Sequence, residues 1–362
     1  MSTKLKIAAA VAAAVLLSAC SSPKHEPMPL VKFTPSMEVT EVWSKGLSSA
    51  EGFLVPAVYD DMVFAAGGKT LTRLNARTGE TEWSVSFNSP ITGGVGSDGY
   101  VTAVGLWDAE GKVSWEKKLT TELASPPVVS HGLVIARTMD TRVSAFEASS
   151  GELQWTYQRS QPALTVRLPT RMLAHDNLVG QPNGHIVILD IASGKPMFEF
   201  QVAQAKGVTE VERLVDVVGA PAFSDNLVCA AAFQGAVTCV DSTNGQTRWT
   251  QKIDAVAGPA IDEDNVYAVS VNGEVQAFYR ESGEQRWSNK TMLYRGLSAP
   301  VVFPGAVAVG DEDGYVHFLS PRTGEEMARV RLSGPIVTQA QPFSAGAIFQ
   351  TSKGDVAYLS NR

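Results

Sequence analysis

One short pattern recurs along most of this chain and limits what it can fold into. A strand-like run ends in Asp, Asn or a similar polar residue, and a Thr-Gly or Ser-Gly-type turn follows. An aromatic residue then stands four positions after the glycine. The clearest copy is Leu74-Asn75-Ala76-Arg77-Thr78-Gly79 leading to Trp83. Further copies centre on Gly151 with Trp155, Gly194 with Phe198, Gly245 with Trp249 and Gly283 with Trp287. Gly324 has Ala328 where the aromatic belongs, and a shorter copy runs from Asp108 to Trp115. A glycine at a tight turn supplies a positive φ between two antiparallel strands. An indole supplies a large planar surface that can set the spacing of neighbouring units.

A second marker keeps the same beat. Pro56, Pro90, Pro127, Pro169, Pro221, Pro259, Pro300 and Pro342 each head an apolar run, at separations between 34 and 52 residues. Proline is tolerated at the first residue of a strand, where no ladder donor is needed. A second hairpin lies between the marks, as at Asn226-Leu227-Val228 to Gln234-Gly235. Each unit therefore holds about four short strands in about 40 residues, the size of a propeller blade.

The ends predict how the ring closes. Val356–Arg362 stops before its glycine and aromatic residue, and Glu41-Val42-Trp43 reads as the missing half. With Trp43 included, the markers predict an all-β, eight-bladed propeller over residues 41–362, closed by an N-terminal strand in the last blade. Closure removes the edges an open sheet would expose. The unit between Trp83 and Trp115 is short and predicts a three-stranded blade two.

The first twenty residues read as an address. Lys4 and Lys6 precede an apolar run from Ile7 to Leu17, too short to span a bilayer as a stable helix. Leu17-Ser18-Ala19-Cys20 follows and resembles a bacterial lipobox, which implies removal of residues 1–19 and acylation of Cys20 with palmitate-type chains. Residue 21 is Ser rather than Asp, which by the same resemblance implies the outer membrane, with the protein facing the periplasm. Residues 20–40 carry Pro23, Pro27, Pro29 and Pro35 and read as a flexible tether.

The formal charge of -7 gives no basic face of the kind a nucleic-acid binder presents. Three cysteines exclude a disulfide-dense scaffold and a Cys-rich zinc module. Cys229 and Cys239 lie ten apart across the turn at Gln234-Gly235, and are either a cross-strand disulfide or two buried thiols. His131 and His175 fall in hairpin turns, His185 and His317 in repeat strands, and no paired metal-ligand spacing appears. Asp311-Glu312-Asp313 reads as a solvated turn rather than a calcium loop. No nucleophile elbow or phosphate loop is present. The reading is of a protein without catalytic residues, metal or cofactor.

Two units carry surplus residues, 161–168 and 202–216, in adjacent blades. Function on a rigid repeat scaffold concentrates in such insertions. Apolar residues beside arginine have the composition of a binding hot spot. Leu164 and Arg167 are the predicted anchors for a protein partner; an early-starting strand that buries Leu164 and Val166 is the bland alternative.

The repeat itself resembles the pyrroloquinoline-quinone (PQQ) propeller repeat. Together with the lipobox, the single propeller domain is similar to the BamB family of outer-membrane lipoproteins, and segments such as Asp311–Tyr315 and Glu210–Leu214 share in that likeness. The resemblance implies a non-enzymatic scaffold of the β-barrel assembly machinery (the BAM complex). It implies binding to the POTRA domains of BamA and to other members of that complex, and aid to the insertion of barrel proteins, with unfolded clients as further partners. The family's partner-binding Leu-x-Leu-Arg reads Leu164-Thr165-Val166-Arg167 here, and its Asp-x-Asp reads Asp216-Val217-Val218, so the resemblance adds Val166 and Asp216 to the predicted partner-binding residues while one acid is missing. Two alternatives stand beside this reading. One is a quinoprotein-type or other ligand-binding enzyme, disfavoured because the vicinal Cys-Cys pair of that class is missing. The other is a glycan-binding or peptidoglycan-binding lipoprotein, disfavoured because residues 158–170 and 202–216 hold no aromatic residue that could stack on a sugar.

Overall fold

The structure, a computed structural model, describes residues 25–49, 55–106, 114–159, 170–173, 178–181, 184–204, 208–209 and 214–361. The described secondary structure is β-strand apart from a single 3-10 residue. No helix among the described residues is long and apolar enough to cross a membrane.

The chain opens with β1 (Val39–Lys45) and then builds sheets in succession. The first is β2 (Ala57–Tyr59), β3 (Met62–Gly67), β4 (Thr70–Asn75) and β5 (Thr81–Ser86). A two-stranded sheet follows, β6 (Ile91–Ser97) with β7 (Thr102–Leu106). Next come β8 (Val128–Ser130), β9 (Leu133–Arg137), β10 (Val143–Glu147) and β11 (Leu153–Tyr157). A three-stranded sheet holds β12 (Leu178–Gln181), β13 (His185–Leu189) and β14 (Pro196–Gln201). The next four strands are β15 (Val217–Ser224), β16 (Leu227–Ala232), β17 (Gly235–Asp241) and β18 (Thr247–Ile253). Then come β19 (Ala260–Ile261), β20 (Asn265–Val269), β21 (Val275–Tyr279) and β22 (Gln285–Asn289). The following sheet is β23 (Val301–Phe303), β24 (Ala306–Gly310), β25 (Tyr315–Leu319) and β26 (Glu326–Arg331). The last strands are β27 (Gln341–Phe343), β28 (Gly346–Gln350) and β29 (Val356–Asn361).

Within each four-stranded sheet the strands are antiparallel neighbours in chain order, except that β1 completes the sheet of β27–β29. It pairs antiparallel with β29, from Val39 opposite Asn361 to Lys45 opposite Val356. The N-terminal strand therefore does what the sequence ends implied.

The expected eight-bladed architecture is corrected. Among the described residues six sheets are complete four-stranded blades, giving a six-bladed propeller with two incomplete sheets, β6–β7 and β12–β14, between its blades. The markers counted turns, and a turn can persist where strands are lost. Among the described residues, β6–β7 has two strands, against the three expected; residues 107–113 of this unit lie outside them. Gly93 and Gly105 lie back to back there, so close that a Cβ on Gly93 would stand 2.8 Å from Gly105 Cα. Ahead of the three-stranded sheet, Thr170 makes a single parallel bridge to Gly219 on β15 of the following blade.

Burial explains the strand pattern. The second strand of each complete blade is sandwiched between its neighbours and buried from end to end, or nearly so, as in β9, β16, β20, β24 and β28. Such strands read as unbroken runs of Val, Ile and Ala. Outer strands alternate, as in Thr247–Ile253, where Trp249 is buried between exposed neighbours. Pro56, Pro90, Pro127, Pro259 and Pro300 immediately precede their strands, whereas Pro221 and Pro342 fall inside β15 and β27. Pro169 lies outside the described residues.

Candidate functional site

The units are joined by a repeated contact. Trp43 on β1 donates its indole Nε1–H to the Ala76 carbonyl of the next blade at 2.8 Å. Trp115, Trp155, Trp249 and Trp287 do the same to Ala148, Ile191, Arg280 and Pro321, at 2.7–2.9 Å. The ring of each lies on the turn glycine of that neighbour: Gly79, Gly151, Gly194, Gly283 and Gly324 respectively. Phe198 has no indole N–H, and its ring reaches only 3.7 Å from the Cβ position of Gly245. Trp83 is tilted against Phe64, and the glycine it would meet, Gly111, lies outside the described residues. Ala328 faces the junction where β1 and β29 meet with no turn between them. Ser36 and Met37 cross there instead, both donating their backbone N–H to the Met327 carbonyl, at 3.0 and 3.3 Å.

The pair left open in the sequence is a disulfide, Cys229–Cys239, joining directly opposed residues of β16 and β17 in the interior.

Of the predicted partner-binding residues, Leu164, Val166 and Arg167 lie outside the described residues. Asp216 is described and buried, just ahead of β15. Its carbonyl accepts the Phe233 N–H at 2.9 Å, and its charge acts on the buried guanidinium of Arg137. Burial pushes Arg137 down to about 10, against the pull of Asp216. Burial alone pushes Arg171 down to about 10. Arg137 Nη1 donates to Thr170 Oγ1 at 3.0 Å, and Thr170 Oγ1 donates to the Ala124 carbonyl at 2.9 Å. Thr170 and Asp216, which precede the strands that follow the two connections, thus gather around the buried Arg137.

The structure holds a second polar cluster that the sequence reading missed. His317 is fully buried, with Nε2 3.1 Å from Asp311 Oδ2 and Nδ1 2.6 Å from Glu326 Oε1. Arg295, also buried, donates from Nε to Asp311 at 2.8 Å and from Nη2 to Asp313 at 2.7 Å. Arg329 Nε donates to Glu326 at 2.8 Å. The groups alternate in sign along a row: Asp313, Arg295, Asp311, His317, Glu326, Arg329. A neutral imidazole has one N–H and cannot donate to two carboxylates, so both bonds require the imidazolium. Asp311 is therefore not part of a solvated turn; its carboxylate is the buried counter-charge of Arg295 and His317. Among the described residues no group of His, Cys, Asp and Glu side chains is arranged to hold a metal ion.

The two arginines of this row also reach the N-terminal segment. Arg295 Nη1 donates to the Met28 carbonyl at 3.0 Å, and Arg329 Nη2 to the Val31 carbonyl at 3.1 Å. Met28 N–H donates to the Leu293 carbonyl at 3.0 Å, His25 stacks on Tyr294 at 4.4 Å, and Arg329 covers the Phe33 ring at 5.1 Å. Residues 25–37 are extended, without regular secondary structure, and lie along the outer strand β26.

Comparison with known proteins places these features in a family. The sequence model described as outer membrane protein assembly factor BamB matches residues 67–289 and 271–361. The outer membrane protein assembly factor BamB of Bordetella pertussis is 35% identical over 361 residues, covering 95% of this chain and 94% of the relative. That of Burkholderia pseudomallei is 35% identical over 353 residues, covering 93% and 92%. The crystal structure of BamB from Moraxella catarrhalis superposes with a TM-score of 0.81 at 28% identity, covering 89% of this chain and 100% of that one.

Proposed function

This chain belongs to the family of the outer membrane protein assembly factor BamB, and from that premise we propose that it is a non-enzymatic scaffold of the BAM complex at the outer membrane. The observation that carries the reading is the family match, which runs from residue 67 to residue 361 and so takes in most of the ring. A scaffold needs a rigid body and exposed connections. Here the rigid body is the set of blades locked together by indoles on glycines.

The finer reading is that the connections after β11 and β14 bind the POTRA domains of BamA, with Leu164, Val166 and Arg167 as the contact residues. The placement of Asp216 supports a different task for that residue: it balances Arg137 beneath the connections and holds their base in place. Acylation of Cys20 anchors the protein to the outer membrane on its periplasmic side. The lipobox supports this, as does the extended run that follows it.

Affinity purification from detergent-solubilised membranes tests the scaffold reading. A POTRA-bearing barrel protein recovered in stoichiometric amount supports it, and recovery of the chain alone refutes it. Arg167→Glu should abolish that recovery while leaving the thermal melt unchanged; undiminished recovery would remove Arg167 from the interface.

A further inference from the structure

We propose that residues 25–37 form a docked strap that fixes which edge of the propeller meets the lipid surface: the edge carrying Val271, the Leu293–Tyr294 connection and Val337. The inference rests on acylation of Cys20, and it adds an orientation to that reading.

Reach comes first. Cys20 is separated from His25 by five residue steps, and a fully extended chain advances at most about 3.6 Å per residue. An acyl-bearing Cys20 therefore lies within about 18 Å of His25, whatever path the chain takes between them. His25 is itself held against Tyr294. Had the whole segment from 21 to 38 been loose, the same arithmetic would have allowed about 65 Å and almost any orientation.

The hold on the strap is built from its backbone and the row of buried charges. Met28 both donates to Leu293 and accepts from Arg295, so it is bonded on both sides of its peptide unit. Val31 accepts from Arg329, whose guanidinium also covers Phe33. Each arginine is fixed from behind by carboxylates of the blade, Asp311 and Asp313 for one and Glu326 for the other. A guanidinium fixed by a buried carboxylate loses little further freedom when it takes up a carbonyl.

Exposed apolar side chains stand on the strap and on the elements that hold it, beside the exposed carboxylates of Glu312 and Asp313. Met28, Val31, Val271 and Val337 are all exposed, Val271 to 46% and Val337 to 45%. Val271 sits on the turn whose Asn272 carbonyl accepts the Tyr294 N–H at 2.8 Å. Val337 follows Ile336, which donates its backbone N–H to the Asp311 carbonyl at 3.0 Å. All four are therefore tied to the elements that hold the strap. Tyr100, the most exposed large hydrophobic among the described residues at 93%, is on the β6–β7 turn, away from the elements that hold the strap.

The test uses the full lipidated protein in phosphatidylethanolamine–phosphatidylglycerol vesicles that contain a nitroxide-bearing lipid. Val271→Cys, Val337→Cys and Tyr100→Cys are each labelled with a fluorophore. The strap predicts several-fold stronger quenching at 271 and 337 than at 100. It also predicts loss of that difference when His25→Gly, Met28→Pro and Phe33→Gly are combined, since these remove the ring stacked on Tyr294, the N–H bonded to Leu293 and the ring under Arg329 while leaving every charged side chain of the row in place. The mass of the mature protein is read on the same samples. An acylated protein with equal quenching at all three sites overturns the strap and leaves the anchor standing. A protein of non-acylated mass overturns the anchor and the strap's role with it.

Discussion

The indole of Trp43 rests directly on Gly79, two elements of neighbouring blades that meet where the ring closes. A Cβ on Gly79 would stand 2.6 Å from Trp43 Cδ2, and the residue has φ +73. Gly245 has nearly the same backbone, φ +71, yet its nearest neighbour is Phe198 at 3.7 Å, an ordinary contact. The two glycines therefore separate conformational strain from collision. Gly245→Ala should cost about 1 kcal/mol, the penalty for an L-residue in the left-handed region. Gly79→Ala adds a collision and should cost on the order of 3 kcal/mol. Urea denaturation of the two variants checks the ordering, and equal losses would mean that the indole moves aside freely.

Ala328 is the one repeat position whose aromatic is missing because its receiving turn is missing. The site holds Ser36 and Met37, with Met37 packed on the core cluster that contains Ala328. Ala328→Trp should therefore destabilise the protein by about 1–3 kcal/mol through overpacking, although it restores the repeat. A gain in melting temperature would show that the closing junction has room for a sixth docked indole.

The Cys229–Cys239 disulfide closes a loop of sequence separation 10 in the interior. Chain-entropy reasoning gives a stabilisation of about 3 kcal/mol for a loop of that length. The double variant Cys229→Ala, Cys239→Ala should lower the urea midpoint correspondingly and leave partner recovery unchanged. The disulfide is far from Val271 and Tyr100 in sequence and buried, so it does not compete for a thiol-directed label.

His317 gives the protein a pH dependence of defined sign. Burial works to lower its pKa, but the hydrogen bonds and charges of Asp311 and Glu326 outweigh burial and raise it above the usual histidine value. Burial likewise works to raise Asp311 and Glu326, and their bonds to His317, Arg295, Arg329 and the Tyr315 N–H outweigh it and hold both low. The carboxylates contribute stability above the ordinary carboxylate range and lose it as the pH falls through their depressed values. The imidazolium contributes fully below the ordinary histidine value, near 6.5, and its contribution is lost as the pH rises through the raised value. The urea midpoint should fall as the pH is raised beyond the histidine range, and His317→Gln should flatten that fall. Nitrogen-15 NMR at pH 7 should find both ring nitrogens protonated; a single neutral tautomer would refute the assignment.

Much of the ring was legible because turn chemistry is local. The glycine, the polar residue before it and the aromatic after it all act within one hairpin or on its neighbour. Asn75 Oδ1, for example, accepts from Arg77 and Thr78 N–H in its own turn. The number of strands per unit was less legible, since a retained turn does not require a retained strand, and β6–β7 is the result. The strap was hidden for a different reason. Pro27, Pro29 and Pro35 forbid regular structure and so suggest a loose chain, whereas what holds the segment is Arg295 and Arg329, roughly 270 to 300 positions away. Asp311 looked solvated because its neighbours Glu312 and Asp313 are acidic, yet its burial depends on His317 and Arg295. Asp216 drew notice as an acid in an insertion, and its inward position could not be seen without Arg137.

Pairing β1 with β29 also orders events in time. Val39 finds its partner only in Asn361, the penultimate residue. A chain delivered from its N-terminus holds β1 unpaired until the last strand has emerged. Joining them closes nearly the whole chain into one loop, the kind of distant pairing that slows folding most. Until then β1 and the outer side of β29 each present an unpaired edge, and one pairing step covers both.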